Sequence, residues 1–175
     1  NIESEPLYHP PPLAGQLRTG DQGNYIFYPS RLEPQKRQEL LIEAMHKVST
    51  PVKLVLAGSS AQAKHYEDLI KTHGVSDRVT MRGFVPDDEL IELYANSLGV
   101  CYLPFDEDYG YVTLQAMLSG KPVVVPSDGG GAAELVEHNG TGLITEPDSQ
   151  AIADCLDSLY NQRSQANKMG ERGLE

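Results

Sequence analysis

Residues Phe105 to Met117 read FDEDYGYVTLQAM, and three chemistries fit that stretch. Asp106, Glu107 and Asp108 set carboxylates close enough to hold a divalent cation. Acids just ahead of a helical pattern also serve simply to complement its positive end. The third chemistry belongs to Gly110. A glycine there lets a ligand approach the backbone, and the amides of Gly110, Tyr111 and Val112 form an anion site if the loop is open. Gln115 follows as a polar residue among Leu114, Ala116 and Met117, facing either solvent or a ligand.

Two other segments carry comparable groups. In PSRLEPQKRQ, Arg31 and Lys36 are spaced to neutralise a pyrophosphate beside a helix start; the plain alternative is two solvated surface charges. In SDGGGAAELV, Gly129, Gly130 and Gly131 permit unusual dihedrals and close approach of a ligand, where a plain turn needs one glycine.

These groups need elements to hold them. Tyr25–Tyr28, Lys53–Ala57, Val79–Phe84, Gly99–Leu103, Pro122–Val125 and Gly142–Thr145 are apolar runs of strand length. Helical patterns alternate with them over 36–48, 61–73, 89–96, the stretch after Gly110, 132–136 and 149–160. Continuous apolar strands are buried on both faces, as in a parallel sheet between helix layers. The pattern predicts a doubly wound, Rossmann-like α/β domain of about six strands over 24–175. Ligands of such sheets bind in the loops at the strand carboxyl ends, where all three segments fall. Residues 1–23, rich in proline and glycine, read as an irregular lead-in.

Composition narrows the partners. The 175 residues carry 25 acidic and 14 basic side chains, a net charge of −11, which argues against nucleic acid. No apolar run is long enough to span a bilayer. Cys101 and Cys155 sit within apolar patterns and read as buried thiols of a cytoplasmic protein. Asn1 is not a natural start, so the chain reads as a piece of a longer one. His46, His65 and His73 read as helix-surface residues, and His9 and His138 lie in loops.

SRLEPQK, EDYGYVTLQAMLSGKPVV and GGGAAELV occur in this order between about residues 24 and 160. Together they resemble the donor-binding, C-terminal domain of group 1 retaining glycosyltransferases of the GT-B fold. The resemblance implies that Arg31 and Lys36 hold the diphosphate of a GDP-, UDP- or ADP-linked sugar and that Glu107 bonds hydroxyls of the transferred hexose. The amides of Gly110, Tyr111 and Val112 would hold the distal phosphate, and Gly129, Gly130 and Gly131 would approach the sugar. Arg82, Gly83, Phe84 and Val85 would border the base. No metal is obligatory in such a site, so Asp106 and Asp108 are expected to be solvated neighbours of Glu107. An N-terminal domain, joined through 1–23, would bind a saccharide or lipid-linked acceptor and could bring the protein to the inner membrane face.

Two positions depart from the family pattern. Gln115 stands where a second glutamate would grip the ribose, and Arg37 stands where glycine often follows the lysine. Gln115 keeps two further readings open beside an active hexosyltransferase: a catalytically weakened nucleotide-sugar-binding domain, or a GT-B epimerase or phosphorylase.

Overall fold

The computed structural model describes residues 9–59 and 61–175. Six strands form one parallel sheet: β1 (Tyr25–Pro29), β2 (Lys53–Ala57), β3 (Val79–Gly83), β4 (Gly99–Cys101), β5 (Val123–Pro126) and β6 (Gly142–Thr145). Their spatial order is β3-β2-β1-β4-β5-β6. Strand order reverses between β1 and β4, which pair at Ile26 with Gly99 and Phe27 with Val100. In such sheets the ligand crevice lies outside the strand carboxyl ends at this reversal, and the loops leaving β1 and β4 meet across it. The segments bearing Lys36 and Glu107 are the loops that flank this reversal.

Among the described residues seven α-helices cover the sheet: α1 (Gln38–Lys47), α2 (Ala63–Thr72), α3 (Asp87–Ala95), α4 (Tyr111–Leu118), α5 (Gly131–Glu134), α6 (Ser149–Asn161) and α7 (Arg163–Arg172). One apolar layer gathers Ile26, Tyr28, Leu41, Met45, Leu54, Tyr66, Leu98, Leu156 and their neighbours. The opposite layer holds Phe27, Tyr94, Val100, Ala116, Val123 and Val125. Alternate residues of β1 and β4 therefore enter different layers, as burial on both faces requires.

Several boundaries differ from the sequence expectation by one or two residues, among them the strand expected over Gly99–Leu103, which ends at Cys101. The helix expected from Lys36 begins at Gln38, because Pro34–Lys36 makes a 3-10 turn and Arg37 adopts φ 54°, ψ 35° between the two. β3 stops at Gly83, whose φ of 65° leaves the strand region before Phe84. The polar segment Arg163–Arg172, which carries no strong periodicity, forms α7 and buries Ala166, Met169 and Gly170.

The described part of the lead-in, residues 9–23, is irregular as expected but lies against the domain as a strap; residues 1–8 fall outside the described residues. Gly23 donates its amide to the Asn96 carbonyl at 3.1 Å. Lys121 donates to the carbonyls of Asp21 at 3.1 Å and Gly20 at 3.3 Å. The Gln115 side-chain amide donates to the Pro12 carbonyl at 3.1 Å. An irregular segment lacks ladder or helix partners for its backbone groups, and here the side chains of Lys121 and Gln115 and the backbone of Asn96 supply some of them.

Candidate functional site

The loop after β1 turns back at the 3-10 helix and presents Lys36 across the crevice. Its ammonium pairs with the Glu107 carboxylate and donates to the Tyr102 hydroxyl at 3.0 Å. Tyr102 in turn donates to Glu107 at 2.9 Å. The Lys36 and Glu107 side chains are 13% and 23% exposed, so the ion pair is screened little yet reachable from the crevice. Burial, then the Glu107 charge, holds the Tyr102 phenol protonated, well above its ordinary pKa. Tyr28, on β1, fixes both ends of the arrangement: its hydroxyl donates to the Lys36 carbonyl and accepts from the Leu103 amide at 3.1 Å.

Glu107 is held by its own backbone as well. Its amide donates to the Gly129 carbonyl at 3.3 Å and its carbonyl accepts from the Gly131 amide at 2.6 Å. A Cβ at Gly130, where φ is +58°, would lie 2.6 Å from the Glu107 carbonyl oxygen. The close approach that this glycine permits is thus to the carboxylate-bearing loop. Gly110 has φ 76° and precedes α4, and a Cβ there would lie 2.6 Å from Ala132 Cα. It lets the starts of α4 and α5 meet, with Tyr111 and Val112 as the first residues of α4. A helix start has amides without intrahelical partners and a positive dipole end, and this one stands beside Glu107.

Arg31 sits apart from Lys36. Its side chain is 74% exposed and pairs with Glu33 at 3.2 Å. It lines a groove of about 220 Å³ with Gly58, Phe84, Val85, Leu90 and Gln115. Phe84 is 82% exposed, an unusual state for a phenylalanine, and forms one lip. Arg82 pairs with Glu89. Gln115 is on the groove wall but 8% exposed. Its Oε1 accepts from the Tyr94 hydroxyl at 2.9 Å, opposite the Nε2 bond to Pro12. A carbonyl only accepts, so the Pro12 contact fixes which end of the amide is which.

The structure therefore brings together Lys36, Glu107, Gly110 and the 129–131 turn, and sets Arg31, Phe84, Val85 and Gln115 in the adjoining groove. Tyr102 was missed in the sequence, where it reads as one more apolar residue of GVCYL. Asp128, whose carboxylate accepts two bonds from Arg37 at 2.7 Å, was also missed. The one available signal was that an acid precedes the glycine run while an extra cation follows Lys36. Asp106 and Asp108 are exposed. Among the described residues no group of three or more His, Cys, Asp or Glu converges on a point that could hold a metal ion. Cys101 and Cys155 are free thiols, and burial pushes the Cys101 thiol well up. A larger cavity of about 410 Å³ lies between α1 and α2, lined by Leu40, Leu69, His73 and Glu43 and, where it meets the loop after β1, by Pro34 and Arg37.

The fold defines a Rossmann-like α/β domain of GT-B type. The chain belongs to the glycosyl transferases group 1 family, whose model matches residues 13–175. It is 34% identical over 174 residues to a GDP-mannose-dependent alpha-(1-6)-phosphatidylinositol monomannoside mannosyltransferase of Mycobacterium tuberculosis, covering 93% of this chain and 45% of that protein. Among solved structures, Anabaena Alr3699/HepE in complex with UDP-glucose superposes with a TM-score of 0.80 at 31% identity, covering 86% of this chain and 43% of that one. The C-terminal domain of a group 1 family glycosyl transferase (LpcC) from Francisella tularensis gives a TM-score of 0.75 at 25% identity, covering 87% of this chain and 84% of that domain. The chain spans 33% and 45% of the lengths of the first two curated relatives it matches. No helix among the described residues is long and apolar enough to cross a membrane.

Proposed function

We propose that this chain is the donor-binding half of a retaining hexosyltransferase that uses a nucleoside-diphosphate sugar. The observation that carries the reading is the meeting of Lys36, Tyr102 and Glu107 at the strand-order reversal, beside the start of α4 and the groove lined by Arg31 and Phe84. A leaving nucleoside diphosphate gains negative charge as the glycosidic bond breaks. Lys36, Arg31 and the amides at Gly110–Val112 are the positive groups that would meet that charge, and preorganised donors at developing charge are a large source of rate acceleration. Glu107 would accept hydroxyls of the sugar, leaving Lys36 to turn toward phosphate. Phe84 and Val85 offer an apolar lip for the base. The diphosphate end thus falls on Lys36 and the start of α4 and the nucleoside end on Phe84 and Val85, with Arg31 at the border of the two. Retention of configuration comes from the family resemblance. The acceptor, a saccharide or lipid-linked glycan, would bind an N-terminal domain outside this chain, on the cytoplasmic side.

A second reading, a domain that binds nucleotide without efficient turnover, is favoured by Gln115, whose amide is already engaged at both ends. Calorimetric titration of the folded chain with UDP, GDP and ADP tests the first reading. Saturable binding of at least one is expected, and absence of binding to all three at millimolar concentration rejects it. Turnover of the full-length protein with a panel of nucleotide-sugars separates the two readings.

A further inference from the structure

Arg37 occupies a backbone conformation, φ 54° and ψ 35°, that glycine adopts freely and arginine does not. Its side chain accounts for its presence there. The guanidinium donates to both carboxylate oxygens of Asp128, each at 2.7 Å, and lies 5.0 Å from the centre of the Phe105 ring. The two side chains are 22% and 35% exposed. The hydrogen bonds to Asp128 push the Arg37 pKa up, and the same bonds hold the Asp128 carboxyl below its ordinary value.

Each partner sits on a different site loop. Arg37 follows Lys36 directly. Phe105 stands two residues before Glu107, and its amide donates to the Gln35 carbonyl at 3.0 Å. Asp128 opens the glycine turn, and its carbonyl accepts from the Asp106 amide at 3.0 Å. A planar fork that matches a carboxylate and stacks on a ring fixes both distance and orientation, which a lysine or a neutral side chain does not.

We propose that Arg37 is a positioning residue: its contacts with Asp128 and Phe105 hold Lys36 and Glu107 in the arrangement that takes the diphosphate end of a nucleotide. The inference rests on the donor-site reading. It separates from that reading because the nucleoside groove of Gly58, Phe84 and Val85 does not involve Arg37.

The ratio of UDP to UMP affinity (or GDP to GMP, whichever base binds) tests it, measured by NMR titration of the 175-residue chain. The variants are Arg37→Gly, Asp128→Asn and the two combined. Arg37→Gly removes the fork while relieving the left-handed backbone, so the fold should persist; Asp128→Asn removes the charge without touching Arg37. Each single variant is expected to lower the ratio about tenfold, within the range of measured couplings between contacting residues, and the double variant to lower it no further. UMP affinity should stay within about twofold, the spread of ordinary surface changes. Unchanged ratios in folded singles, additive losses, or equal falls in UDP and UMP affinity would overturn the proposal. Failure of the unsubstituted chain to bind any nucleotide removes the donor-site reading and the positioning role with it.

Discussion

Gln115→Glu restores the residue type that the family pattern places here, yet the structure makes it destabilising. Nε2 of Gln115 donates to the Pro12 carbonyl at 3.1 Å, and the residue is 8% exposed. An ionised carboxylate has no proton to donate, so the strap would lose that bond and two acceptors would face each other. A buried acceptor left unpaired costs about 1–3 kcal/mol. The Tyr94 hydroxyl, 2.9 Å from Oε1, would bond the charged oxygen more strongly and recover about 1 kcal/mol. The net loss at pH 8 is then up to about 2 kcal/mol. The protonated acid can donate to Pro12, so folding raises the pKa of the new carboxyl. The folded state then binds more protons than the unfolded chain, and the deficit grows as pH rises from ~4.3, the unfolded value. Urea unfolding of the variant against the parent chain at pH 5 and pH 8 reads this difference. Trypsin cleavage at Arg18 should also accelerate at pH 8, because the strap opens locally. Equal stability of the two proteins at pH 8, or a deficit independent of pH, would show that the Gln115–Pro12 bond does not hold the strap.

Three further outcomes follow from the same contacts. Burial lowers the Lys121 pKa to about 8, so between pH 8 and 10.5 the unfolded chain holds a proton that the folded chain lacks. Raising pH through that window favours folding by up to about 1.4 kcal/mol per unit; urea midpoints of the parent chain should climb relative to Lys121→Met, and parallel curves would count against it. Gly130→Ala places a methyl 2.6 Å from the Glu107 carbonyl oxygen at a φ of +58°; a loss of at least about 2 kcal/mol in urea unfolding is expected, and a loss under about 0.5 would contradict the packing described. Phe84→Ala, at an 82% exposed position, should leave stability within about 0.5 kcal/mol while weakening UDP or GDP about fivefold or more by calorimetry; an affinity unchanged by the substitution would place the base elsewhere.

The strands were legible in the sequence because a parallel sheet buried on both faces leaves unbroken apolar runs. Lys53–Ala57 and Gly142–Thr145 form strands with the expected bounds. The loops that carry Lys36 and Glu107 could be placed for the same reason, since strand ends fix where loops begin. What the pattern hid were contacts made across the chain. Arg37 interrupts the helix expected from Lys36 because Asp128, far along the chain, binds its guanidinium. Tyr102 looks apolar in GVCYL, and only the approach of Lys36 and Glu107 gives its hydroxyl a role. Residues 9–23 lack periodicity, and their docking depends on Gln115, Lys121 and Asn96 rather than on any local signal. The glycine run was read as room for a ligand, and Gly130 also makes room for the Glu107 loop.

In the proposed donor site, the strand-order reversal between β1 and β4 would hold a nucleotide by two ends, phosphate at Lys36 and the start of α4, nucleoside at Phe84. Amide shift mapping of the labelled chain with UDP and GDP measures this directly. The shifts at saturation should concentrate at Gly58, Phe84 and Val85 and at Lys36, Glu107 and Gly110–Val112. Shifts centred on the cavity between α1 and α2, or none from either nucleotide in a folded sample, would contradict it.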